Sequence, residues 1–263
     1  MPRWQRLVLS PQQVCQGLEV GKVSLTPEQR HYLAHVLRLT GGDSFLAIAQ
    51  QEQQWWQMCL SADLQWGMIS GTVPNLRELT VDVQLAIALP KGAVMDQIIP
   101  AVSQLGVSRV IPIYSDRTIL QPKHPLSSHK LQRWQRLAEE ASELSLRSVV
   151  PQICPPVPFA QLITQCTSSH RYIAVTQPAQ HLLTLWHKQF ATALPAAIDQ
   201  VTIATGCEGG WTEQEMALAQ QNGFVAVSLG DRILSASTAP VVALALINGV
   251  IESYAHPAVH PPA

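Results

Sequence analysis

From residue 81 to residue 253 the chain alternates short apolar runs with stretches of helical composition, and this rhythm limits its fold more than any other feature. Strand-like runs at 81–89, 109–114, 172–176, 201–205 and 225–229 are separated by helix-like stretches at 93–105, 129–145, 181–190 and 213–221, and a last helix signal covers 240–253. Such alternation predicts an α/β fold, a parallel sheet covered by helices on both faces. Pro151, Pro155, Pro156 and Pro158 mark an extended connection within it, because each proline also pushes the residue before it out of the helical region. The first 72 residues read differently. Short strand-like runs at 6–9, 45–49, 55–60 and 67–73 with one helix signal at 27–39 predict a small β-rich barrel carrying one helix. A polar stretch at 74–78 separates the two patterns, so the expected domains are 1–73 and 74–263.

The segment from Thr205 to Leu234 carries the candidate site. Gly206-Cys207-Glu208-Gly209-Gly210 follows one strand signal, and Leu229-Gly230-Asp231-Arg232 follows the next. Glycines there allow tight turns and close backbone approach. Thr212 with Glu215 three residues on is a capping box that opens a helix. Two such loops on successive parallel strands open at one sheet edge, where ligands of α/β sheets bind. Neither loop carries the spaced GxGxxG or the GK[ST] ending of the common phosphate cradles. The pattern therefore suits a small molecule held by its base and polar groups, and an ordinary strand-to-helix turn gives the same local signal.

Composition narrows the classes further. The longest apolar run, 241–247, is far short of the roughly 20 residues of a membrane span, and no secretory signal pattern opens the chain. The expected compartment is the cytoplasm. Five cysteines, at 15, 59, 154, 166 and 207, are odd in number and lack any C-x-x-C pair, so neither a disulfide framework nor a metal site is expected. Net charge is −1, but it is unevenly spread: +2 over 1–50, −3 over 51–90, +3 over 91–150 and −3 over 151–263. Two basic regions fit contact with a polyanion, and surface scatter would give the same sums. Trp55, Trp56 and Trp66 are candidates for base stacking or for barrel packing.

At the level of ordered motifs the chain resembles the RsmE-type ribosomal RNA methyltransferases of the knotted SPOUT superfamily, over nearly its whole length. The N-terminal part carries the match in His31-Tyr32-Leu33, Val36-Leu37-Arg38-Leu39 and Gly42-Asp43. It continues in Leu89-Pro90-Lys91-Gly92, Leu105-Gly106-Val107, Pro112, Asp116-Arg117 and Glu143 through Arg147. Its most specific stretches are Glu208-Gly209-Gly210 with Glu215, and Leu229-Gly230 with Arg232-Ile233-Leu234 and Thr238. The resemblance implies a PUA-like RNA-binding barrel at 1–73 and a methyltransferase domain at 74–263 with a C-terminal trefoil knot. It further implies S-adenosyl-L-methionine as cofactor, a homodimer through the knotted domain, and methylation of N3 of a uridine in ribosomal RNA of the small ribosomal subunit, with no metal and no membrane.

Carried over residue by residue, the resemblance gives a cofactor site of Thr176, Thr205, Gly206, Glu208, Gly209, Gly210, Leu229, Gly230, Ile233, Leu234 and Thr238. Arg147 and Arg232 are the expected catalytic cations, and Arg6, Arg38, Lys91 and Arg117 the expected RNA contacts. Methylating N3 requires alignment with the methyl donor at about 3 Å and stabilisation of the uridine anion, which is the role expected of Arg147. The chain departs from the family pattern at Cys207, where proline is usual, at Ser235 and Ser237, where charge is usual, and at Ala101, Gln104 and Leu144. These departures leave two other readings open: a binding dimer without turnover, and a methyltransferase acting on another RNA position.

Overall fold

The computed structural model describes residues 6–49, 54–74, 78–121, 126–192 and 198–255. The chain partitions into two compact units, Met1–Glu78 with Ser142–Val150, and Leu79–Ala141 with Pro151–Ala263. The short segment 142–150, assigned by sequence to the second domain, thus clusters with the N-terminal unit.

The N-terminal unit is a five-stranded sheet of β1 (Arg6–Val8), β2 (Lys22–Ser24), β3 (Ser44–Ala49), β4 (Gln54–Leu60) and β5 (Trp66–Pro74), in the order β1-β3-β4-β5-β2. Only the β1–β3 pairing among these is parallel. Helix α1 (Pro11–Val20) was missed by sequence reading although Ser10 and Gln13 form a capping box and Pro11 opens it. It packs so closely on the sheet that a Cβ on Gly17 would lie 2.3 Å from the Trp56 ring. Val14, Leu33, Phe45, Met58 and Trp56 fill the core. The helix expected over 27–39 is instead a short α2 (Pro27–His31) followed by a π-helical turn, Tyr32–Val36. That turn buries Leu33 completely and leaves Val36 outside. On the other side Leu46, Ile48 and Trp55 pack with Leu146, and Val8 donates its backbone amide to the Glu143 carboxylate at 3.1 Å.

The second unit holds an eight-stranded sheet whose observed pairings are all parallel. Its strands are β6 (Asp82–Ala88), β7 (Arg109–Tyr114), β8 (Gln152–Ile153), β9 (Val157–Pro158), β10 (His170–Ala174), β11 (Gln180–His181), β12 (Gln200–Thr205) and β13 (Val225–Ser228). The order is β11-β13-β10-β12-β6-β7-β8, with β9 also paired to β7. Strand β13 therefore lies between two strands that precede it in sequence. β6, β7 and β12 are buried almost end to end, as strands covered on both faces must be.

Helices α3 (Val94–Gln104), α4 (Ser128–Ser145), α5 (Phe159–Gln165), α6 (Leu182–Thr192), α7 (Glu213–Gln221) and α8 (Thr238–Ala255) complete the order. Ala86 and Ala88 of β6 share a core with Phe159, Leu162 and Ile163 of α5 and Ala219 of α7. Buried Leu85 and Ile87 point to the opposite face by strand alternation, and α8 packs on α3, α6, β6 and β12. The connection read as extended through Pro158 does contain two short strands, and α5 begins directly after it. Proline at that junction costs nothing because the first helical amides have no partner to lose.

Candidate functional site

The loops that leave β10, β12 and β13 enclose a cavity of about 610 Å³ at the carboxyl ends of the sheet, within the roughly 300–1,000 Å³ of small-ligand pockets. Its walls are residues 174–177, 206–211 and 229–236, with Arg117 and Ala239. The first glycine loop folds back on itself. A Cβ on Gly206 would sit 3.2 Å from the Gly210 Cα, a tight contact, and Gly210 adopts φ +66°, a left-handed conformation that favours glycine. The Gly210 amide donates to the Cys207 carbonyl at 2.9 Å, and the Trp211 indole N–H donates to the Ala174 carbonyl at 2.9 Å. The Trp211 ring also lies 5.1 Å from that of Phe159, which anchors the loop's exit. The capping box expected at Thr212 and Glu215 is present.

Neighbouring strand ends tie this loop down. The Glu208 carboxylate accepts the Lys91 backbone amide at 3.0 Å, and the Glu215 carboxylate accepts the Asp116 amide at 2.9 Å. Arg117 donates from its guanidinium to the Gly209 carbonyl. In the second loop the Ser228 hydroxyl holds both the amide and the carbonyl of Gly230, and Gly230 has φ +129°. Cys207 is buried beneath the first loop with Ile113, Ile173 and Trp211; it packs as a small apolar residue. Ser235 and Ser237 bond to one another, and Ser235 also bonds Thr238 at the start of α8.

Of the residues expected from sequence, Thr176, Gly206, Glu208, Gly209, Gly210, Leu229, Gly230, Arg232, Ile233 and Leu234 line the cavity. Thr205 ends β12 with a buried hydroxyl that has no partner among the described residues. Thr238 opens α8 and donates its amide to the Ser235 hydroxyl. Lys91 is exposed, and its backbone is what engages the site. Arg6 lies in β1 and Arg38, exposed with φ +58°, follows the π turn, both in the N-terminal unit. Arg147, expected to be a catalytic cation, is a buried residue of that same unit, 3% exposed, with its guanidinium on the Glu78 carboxylate at 2.8 Å.

Sequence reading overlooked Trp211, Val175 and Gln177 as cavity walls, and named Asp231 in the second loop without giving it a role. Trp211 was findable, since an aromatic directly after Gly209-Gly210 sits where the loop must turn into its helix. Val175 and Gln177 had no such signal, because their loop carries no glycine. The described residues contain no group of three or more metal-binding side chains, and none of their helices is long and apolar enough to cross a membrane.

The RNA methyltransferase domain family matches residues 77–248, a span that contains every residue of the cavity. The ribosomal RNA small subunit methyltransferase E of Synechocystis is 40% identical over 94% of this chain and 78% of its own length. The chain belongs to the RsmE-type ribosomal RNA methyltransferases. The Bacillus subtilis member of this family is 30% identical, over 88% of this chain and 91% of its own. A crystal structure of the family's Neisseria gonorrhoeae member bound to S-adenosyl methionine superposes with a TM-score of 0.79. It is 25% identical and covers 94% of this chain and 98% of that one.

Proposed function

We propose that this protein transfers a methyl group from S-adenosylmethionine to N3 of a uridine in small-subunit ribosomal RNA. The observation that carries the reading is the cavity to which two glycine loops at the ends of β12 and β13 contribute, in a chain of this family. The residues present suit the cofactor. The glycine backbones can approach its adenosine closely, while Leu229, Ile233, Leu234, Val175 and Trp211 supply apolar walls. The exposed Asp231 carboxylate at the cavity rim matches the ammonium of its amino-acid end.

When bound, the cofactor supplies an electrophilic methyl group on a sulfonium. The protein's part is to hold the uridine N3 in line with that methyl and to stabilise the charge left as the N3 proton departs to solvent. Arg232, exposed at the cavity, is the cation we assign to that charge. Arg147 we assign to holding the N-terminal unit, since Glu78 already takes its guanidinium. The N-terminal sheet serves as a PUA-like RNA-binding unit with exposed Arg38 in its contact surface. The insertion of β13 between β10 and β11 supports a C-terminal trefoil knot, and a chain trace at high resolution that passes outside the 175–179 loop would remove the knot.

The experiment is single-turnover transfer of labelled methyl to small ribosomal subunits lacking the modification, with the labelled nucleotide identified by mass spectrometry. Labelled N3-methyluridine is the expected product. A second reading, a cofactor-binding protein without turnover, is favoured by Ser235 and Ser237 satisfying each other where the family carries charge; cofactor binding with no label in RNA would select it.

A further inference from the structure

We propose that Arg117 is a positioning residue that sets the conformation of the first cofactor loop, and that it does so before any ligand arrives. The inference rests on the reading of the cavity as a methyl-donor site. Arg117 lies in the turn that follows β7, and its guanidinium donates to the Gly209 carbonyl of the loop after β12. Its aliphatic stem lies flat on the same glycine: a Cβ on Gly209 would come 3.0 Å from the Arg117 Cβ and 3.1 Å from its Cδ. A side chain at 209 would therefore press on Arg117, whereas the backbone dihedrals there make no demand for glycine.

The consequence follows from what glycine is. Gly209 and Gly210 carry no side chains to fix their peptide planes, and an unrestrained pair samples many orientations. Only some of these present the loop's amides to a ligand. Arg117 grips the carbonyl oxygen of the plane between them, while the amide of that same plane donates to the Cys207 carbonyl, and a planar guanidinium on a packed stem loses little freedom in doing so. The other ties act at the loop's ends, Lys91 on Glu208 before the glycines and Asp116 on Thr212 after them. Arg117 is the side-chain tie at the glycines themselves, added to the backbone bond from the Gly210 amide to the Cys207 carbonyl. Since the loop is ordered in advance, the cofactor does not bear the cost of ordering it.

Two readouts test this. Amide hydrogen exchange of the ligand-free protein should show Gly209 to Trp211 exchanging at least tenfold faster in Arg117→Ala than in wild type, with β12 and α7 unchanged. Calorimetry should show S-adenosylmethionine binding at least tenfold weaker in Arg117→Ala and by an intermediate amount in Arg117→Lys. Lys188→Ala, which removes an exposed cation of α6 that does not line the cavity, should bind the cofactor as wild type does. Unchanged exchange and unchanged cofactor affinity in Arg117→Ala, with weakened binding to ribosomal RNA, would overturn the proposal and make Arg117 an RNA contact. Wild-type protein that binds no S-adenosylmethionine would overturn the methyl-donor reading, while the exchange result would still decide whether Arg117 orders the loop.

Discussion

Glu78 carries more of the N-terminal unit than its place beside a polar connector suggests. Its carboxylate accepts from the Arg147 Nε and Nη2 at 3.1 and 2.8 Å and from the backbone amides of Ser148 and Val149 at 2.8 and 3.1 Å. Removing one partner of a buried pair leaves the other charge uncompensated, which costs about 3–5 kcal/mol. Glu78→Ala should therefore lower the unfolding free energy by about 3 kcal/mol, less than the maximum because Glu78 keeps 19% side-chain exposure. Urea denaturation followed by tryptophan fluorescence measures it, and a loss under about 1 kcal/mol would mean that solvent replaces the pair. In sequence Arg147 is a cation near the end of a helix signal, as well suited to that helix end as to a catalytic role. Only the return of Glu78 beside it distinguishes a fastening from a contact.

At the scale of elements, α7 is the case where local signal and tertiary role coincide. The Thr212 hydroxyl caps the Glu215 amide at 3.2 Å and also bonds the Asp116 carboxylate at 3.1 Å, so one side chain starts the helix and joins it to the turn after β7. Thr212→Ala should cost about 1 kcal/mol from the lost cap and weaken S-adenosylmethionine binding several-fold by loosening that turn. Thermal unfolding and calorimetry on the same variant separate the two effects; intact cofactor affinity would confine Thr212 to capping. The capping pattern was readable because it spans four residues. By contrast α5, β2 and the edge strands β8, β9 and β11 are held by partners distant in sequence and too short for periodicity to reveal. The π turn at Tyr32–Val36 was hidden for another reason, since one extra residue in a helical turn leaves composition unchanged.

At the scale of the molecule, Ile233 lines the cavity while remaining 83% exposed. An isoleucine so placed supports pairing of two copies through this face, with each site close to the interface. Sedimentation should give a dimer for wild type, and Ile233→Asp should shift it toward monomer at the same concentration. A wild-type monomer at micromolar concentration would sink the dimer.

The parallel α/β sheet, the two glycine loops and the cap between them were legible in the sequence alone, because strand alternation, glycine and capping are encoded within a few residues of one another. So was most of the cavity, since loops on successive parallel strands must open at the same edge. What only the tertiary structure decided were pairings across long stretches of chain: Glu78 with Arg147, Arg117 with Gly209, β13 between β10 and β11, and 142–150 with the N-terminal unit. A side chain's type limits the partners it can take. Which partner it meets is set by packing and topology, and that is why the contacts of Arg147 with Glu78 and of Arg117 with Gly209 could not be read from the sequence.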